Sequence, residues 1–215
     1  MNKKLLLFIM IIAGAVLGLH GQNINHYFTD MPSSLLPTLE SSSRQELIEN
    51  YEANPQKDTL KNFLGGKVRL LQLDTLTDYI SIQTASNSRF DMKILKRKDN
   101  SDLLMIINTV CAPICSSYVH FYDKDWKEVK VDLPPLKVEN WLQTDVAVVN
   151  GVKVKDLFKT SFIELKFNNA AQTIEATNNS LDFLGEEEKI LVEPYFSQNP
   201  ISLKWNGEKW YLPKS

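Results

Sequence analysis

Leu103-Leu104-Met105-Ile106-Ile107 is apolar at five successive positions and runs on through Asn108-Thr109-Val110. A strand with one wet face alternates apolar and polar residues, so an unbroken apolar run of this length predicts a central strand covered on both faces. Around it, Tyr79 to Thr84, Arg89 to Lys96, Ser117 to Tyr122 and Trp126 to Val131 read as further strands at a period of two. Between these runs lie Ala85-Ser86-Asn87-Ser88, Arg97 to Asp102, Cys111 to Ser116 and Asp123-Lys124-Asp125. A parallel crossover needs a dozen or more residues, so such short connections predict an antiparallel meander.

On the N-terminal side, Met31, Leu35, Leu36 and Leu39 recur at helical spacing, with Asp30 placed to cap a short helix that Pro37 disturbs. Ser43 and Glu46 form a capping box for a second helix, whose stripe is Leu47, Ile48 and Tyr51 and whose stop is Asn54-Pro55. On the C-terminal side, Pro134-Pro135 breaks the meander. A smaller β-rich portion follows: Val146 to Val149, an Asn150-Gly151 turn, Val152 to Val154, Ser161 to Phe167 and Gln172 to Ala176. Glu186, Glu187 and Glu188 open a short helix ending near Pro194, and a hairpin, Ser202 to Trp205 and Lys209 to Leu212, closes the chain. The expected fold is α+β: an N-terminal helical segment on an antiparallel β-meander, then a smaller β-rich portion with a short helix and C-terminal hairpin. The expected organisation is a signal peptide over residues 1–21, a first portion over 22–133 and a second over 134–215, which can pack as one domain.

The first 21 residues have the layout of a secretory signal: Lys3 and Lys4, an apolar run from Leu5 to Leu19, and small residues toward Gly21. A bilayer-spanning helix needs about 20 apolar residues, and Gly14 and Gly18 weaken this shorter run as a helix. Cleavage after Gly18 or Gly21 is expected, giving a periplasmic or secreted protein with no membrane span; no Cys follows the run to carry a lipid. Losing Lys3 and Lys4 takes the 24 Lys and Arg down to 22 against 26 Asp and Glu, a formal charge of −4. That balance offers phosphate backbones no general attraction, so nucleic acid is not an expected partner. The cluster Lys93, Lys96, Arg97 and Lys98 reads as lysines that solvate a strand edge.

The usual chemistries find little footing. After the leader only His26 and His120 remain, and a zinc site needs three or four close Cys/His ligands, so no metal is expected. Asp123 and Asp125 begin like a calcium loop but lack its glycine and closing glutamate, which leaves a β-turn. No Gly-x-Ser-x-Gly elbow, phosphate loop or dinucleotide fingerprint is present, so no catalytic residue or cofactor is assigned. Cys111-Ala112-Pro113-Ile114-Cys115 has two readings, a structural disulfide across a hairpin, favoured by export, and a pair of small buried residues flanking a proline turn. Neither reading makes Cys111 or Cys115 catalytic, since no cation or helix start stands by to lower a thiol pKa. Trp205 and Trp210 also have two readings, a surface aromatic site for stacking sugars and core packing within the last hairpin.

The leader, Met31-Pro32 with its leucines, the Arg44 helix, Gly65-Gly66, Tyr79-Ile80-Ser81-Ile82, Thr109-Val110-Cys111-Ala112-Pro113 and Phe121-Tyr122-Asp123-Lys124-Asp125-Trp126 together give a resemblance. The chain resembles the Bacteroidales domain-of-unknown-function 3256 family over most of its mature length. The resemblance implies an envelope location and brings no catalytic residues. The function expected is a non-catalytic cell-envelope binding or assembly module with a protein, peptide or glycan partner. The alternative is a periplasmic hydrolase whose site is dispersed in sequence.

Overall fold

A computed structural model of the chain describes residues 23–55, 59–144 and 147–213. The leader and its cleavage position lie outside the described residues. Six strands form the first sheet in chain order: β1 (Leu60–Lys61), β2 (Lys67–Asp74), β3 (Tyr79–Ala85), β4 (Ser88–Lys96), β5 (Asp102–Cys111) and β6 (Cys115–Tyr122), every neighbour antiparallel. The apolar run in β5 is explained by its position. Leu103, Met105 and Ile107 belong to one core and Leu104 and Ile106 to another on the opposite face, all five fully buried. Successive side chains in a strand point to opposite faces, so a strand with no wet face needs no polar alternate.

The helical layer fills the second of these cores. α1 (Ile24–Asp30) is capped by Asn23, whose side chain accepts the His26 N–H at 3.1 Å, and α2 (Ser41–Ala53) ends at Asn54. Ile24, Tyr27, Phe28 and Leu47 pack on Val68, Ile80, Ile82 and Phe90 of the sheet. Each such side chain contributes about 1.5–3 kcal/mol by leaving water. Local readings are corrected here. Asp30 ends a helix instead of capping one, Met31 to Leu39 holds only a 3-10 turn (Ser33–Leu35), and Ser43 lies inside α2, whose N-cap is Glu40. Met31, Leu36 and Leu39 are nonetheless buried, because a loop wrapped over a sheet also buries its leucines.

Two strands also depart from expectation. β2 has no clean period of two over its length, because a bulge between Leu70 and Gln72 shifts its phase and leaves Leu71 and Gln72 both exposed. Trp126 to Val131 is not a strand: Trp126 has φ 62°, and only Glu128 bridges back to Tyr122. Lys93, read as an edge lysine, is 3% exposed. β4 is an interior strand, and position 93 falls on the face that the second sheet covers.

That second sheet has the order β12-β11-β10-β9, from β9 (Ile163–Asn168), β10 (Thr173–Asn178), β11 (Ile201–Trp205) and β12 (Trp210–Tyr211), all antiparallel. Leu165, Phe167, Ile174, Leu203 and Trp210 face Tyr79, Leu103, Met105 and Phe121 in one shared core. A small hairpin, β7 (Val148–Val149) with β8 (Val152–Lys153), turns at Asn150-Gly151, where φ is 51° and 78°. Positive φ at both positions is what a type I′ two-residue hairpin loop requires. α3 (Glu186–Val192) follows the second hairpin. The fold is therefore α+β, with the helical segment and the smaller sheet on opposite faces of the meander.

Candidate functional site

β6 is the terminal strand of the first sheet. The Phe121 carbonyl accepts the Val129 N–H at 2.8 Å, on the side away from β5. Backbone groups of alternate residues point the same way, so Ser117 and Val119 present their N–H and C=O groups along that outer edge. Among the described residues no hydrogen bond satisfies them there. Beside this edge runs a groove of about 490 Å³ walled by Tyr118, Val119, Leu133, Pro134, Phe162 and Ile163. No charged side chain lines it. Phe162 carries Phe183 against it at 5.3 Å between ring centroids, and Phe183 and Tyr118 are both largely exposed.

The two walls are held in place by a polar strut between the sheets. Arg89 on β4 donates from Nε to Asp91 Oδ2 at 2.8 Å, from Nη1 to Glu164 Oε1 at 3.0 Å and from Nη2 to the Leu165 carbonyl at 2.9 Å. Ser117 Oγ accepts the Leu165 N–H at 2.9 Å and lies 2.8 Å from Thr109 Oγ1. These bonds seat β9 on β6 at one register, because both backbone groups of Leu165 are engaged. Asp91, almost fully buried, also accepts the Tyr79 hydroxyl at 2.8 Å. Burial and the Asp91 carboxylate push the Tyr79 phenol well above the ordinary tyrosine range. Burial works against the Arg89 charge, but Asp91 and Glu164 outweigh it and raise its pKa. None of these groups was picked out in the sequence. The signal present was Arg89-Phe90-Asp91, two opposite charges two residues apart, which a strand puts on one face.

Lys93 sits on the same face, two residues along. Its Nζ donates to the Thr77 carbonyl and lies 5.1 Å from the Phe167 ring centroid. Burial lowers its pKa from 10.5 to about 8, against the pull of Asp78 and Asp74. Asp78 is itself raised, chiefly by burial. These groups brace the β2–β3 turn against the second sheet, with Thr77 Oγ1 donating to Asn169 Oδ1 at 2.7 Å.

The residues singled out in the sequence fall elsewhere. Cys111 and Cys115 pair across the β5–β6 turn and are joined by a disulfide, and Asn179 Nδ2 donates to the Cys115 carbonyl at 3.1 Å. Trp210 is buried in the inter-sheet core, while half-buried Trp205 packs on it at 5.7 Å and donates from Nε1 to the Lys96 carbonyl at 2.8 Å. His120 is exposed beside Glu128 at 3.1 Å and His26 beside Asp30 at 3.4 Å. Among the described residues no hydrogen bond joins a histidine to a serine, threonine or cysteine, and no cluster of three or more His, Cys, Asp or Glu could hold a metal. Asp123 Oδ1 accepts the N–H groups of Asp125 and Lys127 at 2.9 and 3.0 Å, as a turn residue does. No helix among the described residues is long and apolar enough to cross a membrane.

Comparison with known proteins agrees with the fold and adds no activity. A solved domain of an uncharacterized protein from Porphyromonas gingivalis W83 is similar over 90% of this chain and 99% of its own, with a TM-score of 0.76 and 23% identity. No protein of curated function matches. The family described as "Protein of unknown function (DUF3256)" matches residues 16–210, and with that span of the fold covered, the chain belongs to the DUF3256 family.

Proposed function

We propose that the protein is a non-catalytic binding module of the cell envelope, exported with its leader removed, that takes an extended apolar peptide segment along the outer edge of β6. One observation supports the reading: the Ser117 and Val119 backbone groups, without a hydrogen-bond partner among the described residues, border a groove with no charged lining. An added strand would satisfy those groups, and its alternate side chains would meet Val119, Leu133 and Phe162 on one side. Pro134 and Pro135 have no N–H, so those two residues of the neighbouring segment cannot donate to the Ser117 and Val119 carbonyls. Tyr118, Phe162 and Phe183 supply rigid aromatic surface of the kind that anchors bound segments.

The test uses acetyl-Thr-Val-Thr-Val-Thr-amide and the same peptide N-methylated at both valines. Amide exchange and shifts at Ser117 and Val119 should change with the first peptide and stay unchanged with the second. Equal binding of the two, or shifts away from the groove, would refute strand addition. Intact mass of the native protein reads the leader: a species that keeps Met1 would contradict export with cleavage.

A further inference from the structure

Four basic side chains gather between Lys93 and Lys98, and three of them are engaged. Lys93 is buried between the sheets, Lys96 pairs with Asp102, and Lys98 pairs with Glu208 at 2.8 Å. Arg97 has no ion pair among the described residues, nor has Lys130. Both line one pocket of about 320 Å³, together with Val129 and Val131. Two acids also line the pocket: Asp99, whose Oδ1 accepts the Ser101 N–H and hydroxyl at 3.0 and 2.6 Å and whose charge Arg97 favours without pairing to it, and Glu208, which holds Lys98.

Three separate segments build this pocket and each is fixed by backbone bonds. The Lys98 N–H donates to the Gly207 carbonyl at 3.2 Å, the Arg97 N–H to the Ser101 carbonyl at 3.0 Å, and the Trp210 N–H to the Asp132 carbonyl at 3.1 Å. Gly207 has φ 92°, and a Cβ there would stand 3.2 Å from the Lys98 nitrogen, so the two turns touch. The pocket is preformed, falls within the size range of small-molecule sites, and shares no lining residue with the groove beside β6.

We propose that this pocket binds a small carboxylate carrying an apolar body, with Arg97 and Lys130 on the carboxylate and Val129 and Val131 against the body. A guanidinium presents paired N–H donors that match a carboxylate, and Arg97, which makes no ion pair among the described residues, is available to do so. Two cations without an ion pair beside two half-buried valines would favour a ligand that carries both a negative charge and an apolar body. The site stands whether or not β6 accepts a peptide.

The probe is N-acetyl-L-leucine, followed by methyl shifts of Val129 and Val131, with N-acetyl-L-leucinamide as its neutral twin. The acid should give saturable shifts and bind at least about tenfold tighter than the amide. Arg97→Gln with Lys130→Gln should lose that advantage while melting at the wild-type temperature, Arg97→Lys should fall between, and Lys124→Gln should bind like wild type. Equal affinity for acid and amide would overturn the proposal, as would unchanged affinity in the double variant, shifts mapping elsewhere, or no saturable shift up to the solubility of the acid.

Discussion

Replacing Lys93 by methionine should stabilise the protein at neutral pH, and the gain should vanish in alkali. Lys93 is 3% exposed, and burial lowers its pKa from 10.5 to about 8. Between those two values the unfolded chain holds a proton that the folded chain does not, so wild-type stability climbs with pH by up to about 1.4 kcal/mol per unit. Below pH 8 both states are protonated and the whole penalty is present, roughly 3 kcal/mol. Above pH 10.5 both are neutral and it is gone. Methionine fills a similar volume, but it abandons the bond to the Thr77 carbonyl and the contact with the Phe167 ring, which together offset about 1–2 kcal/mol. The net gain at pH 7 is then about 1–2 kcal/mol, or roughly 2–8 °C in melting temperature for a chain of this size. Urea unfolding of both proteins at half-unit steps from pH 7 to 10.5 measures it. A variant less stable than wild type at pH 7, with a parallel pH profile, would refute the claim that a costly buried charge lies at this position.

Three further tests address the strut between the sheets, the contact between two turns and the β5–β6 turn. Arg89→Met leaves nearly buried Asp91 with the Tyr79 hydroxyl as its one hydrogen-bond partner among the described residues and should cost on the order of 3–5 kcal/mol in urea unfolding. Adding Asp91→Leu and Tyr79→Phe should recover most of that loss, and no recovery would show that the strut does more than neutralise a buried charge. Gly207→Ala combines positive φ with a close approach to Lys98 and should cost about 1–3 kcal/mol by differential scanning fluorimetry; a neutral result would mean that the two turns can move apart. For the Cys111 to Cys115 bond, we propose a purely structural role: Cys111→Ser with Cys115→Ser opens a very short loop and should cost about 2 kcal/mol, leaving peptide and carboxylate binding intact. Lost binding at unchanged stability would point instead to a reactive thiol pair.

How far the site could be read from sequence depended on how local its signals were. The basic cluster from Lys93 to Lys98 was visible, but its members part company only in three dimensions, one into the core, two into ion pairs and one into a pocket. Lys130 and the Gly207 turn, which complete that pocket, lie 33 and 110 residues away from Arg97 along the chain. The groove beside β6 needed more still. Its far wall, Phe162 and Ile163, is brought there by the second sheet, and its bare edge depends on Trp126 to Val131 failing to pair as a strand. The pairing that starts after the Trp126 turn ends at the Val129 N–H bond to the Phe121 carbonyl, and no periodicity announces where it stops.

What the sequence determined by itself is the class of fold. Five consecutive apolar residues from Leu103 to Ile107 require two covered faces, and turns of a few residues require antiparallel neighbours; both follow from side-chain alternation and chain reach, which are local. The tertiary structure alone decided which residues share a site. Arg89 reaches the Leu165 carbonyl, and Trp205 the Lys96 carbonyl, across 76 and 109 residues. Such contacts are chosen by how two sheets dock, a balance of apolar area, buried charge and hydrogen-bond geometry summed over the whole interface, and no short stretch of sequence carries that sum.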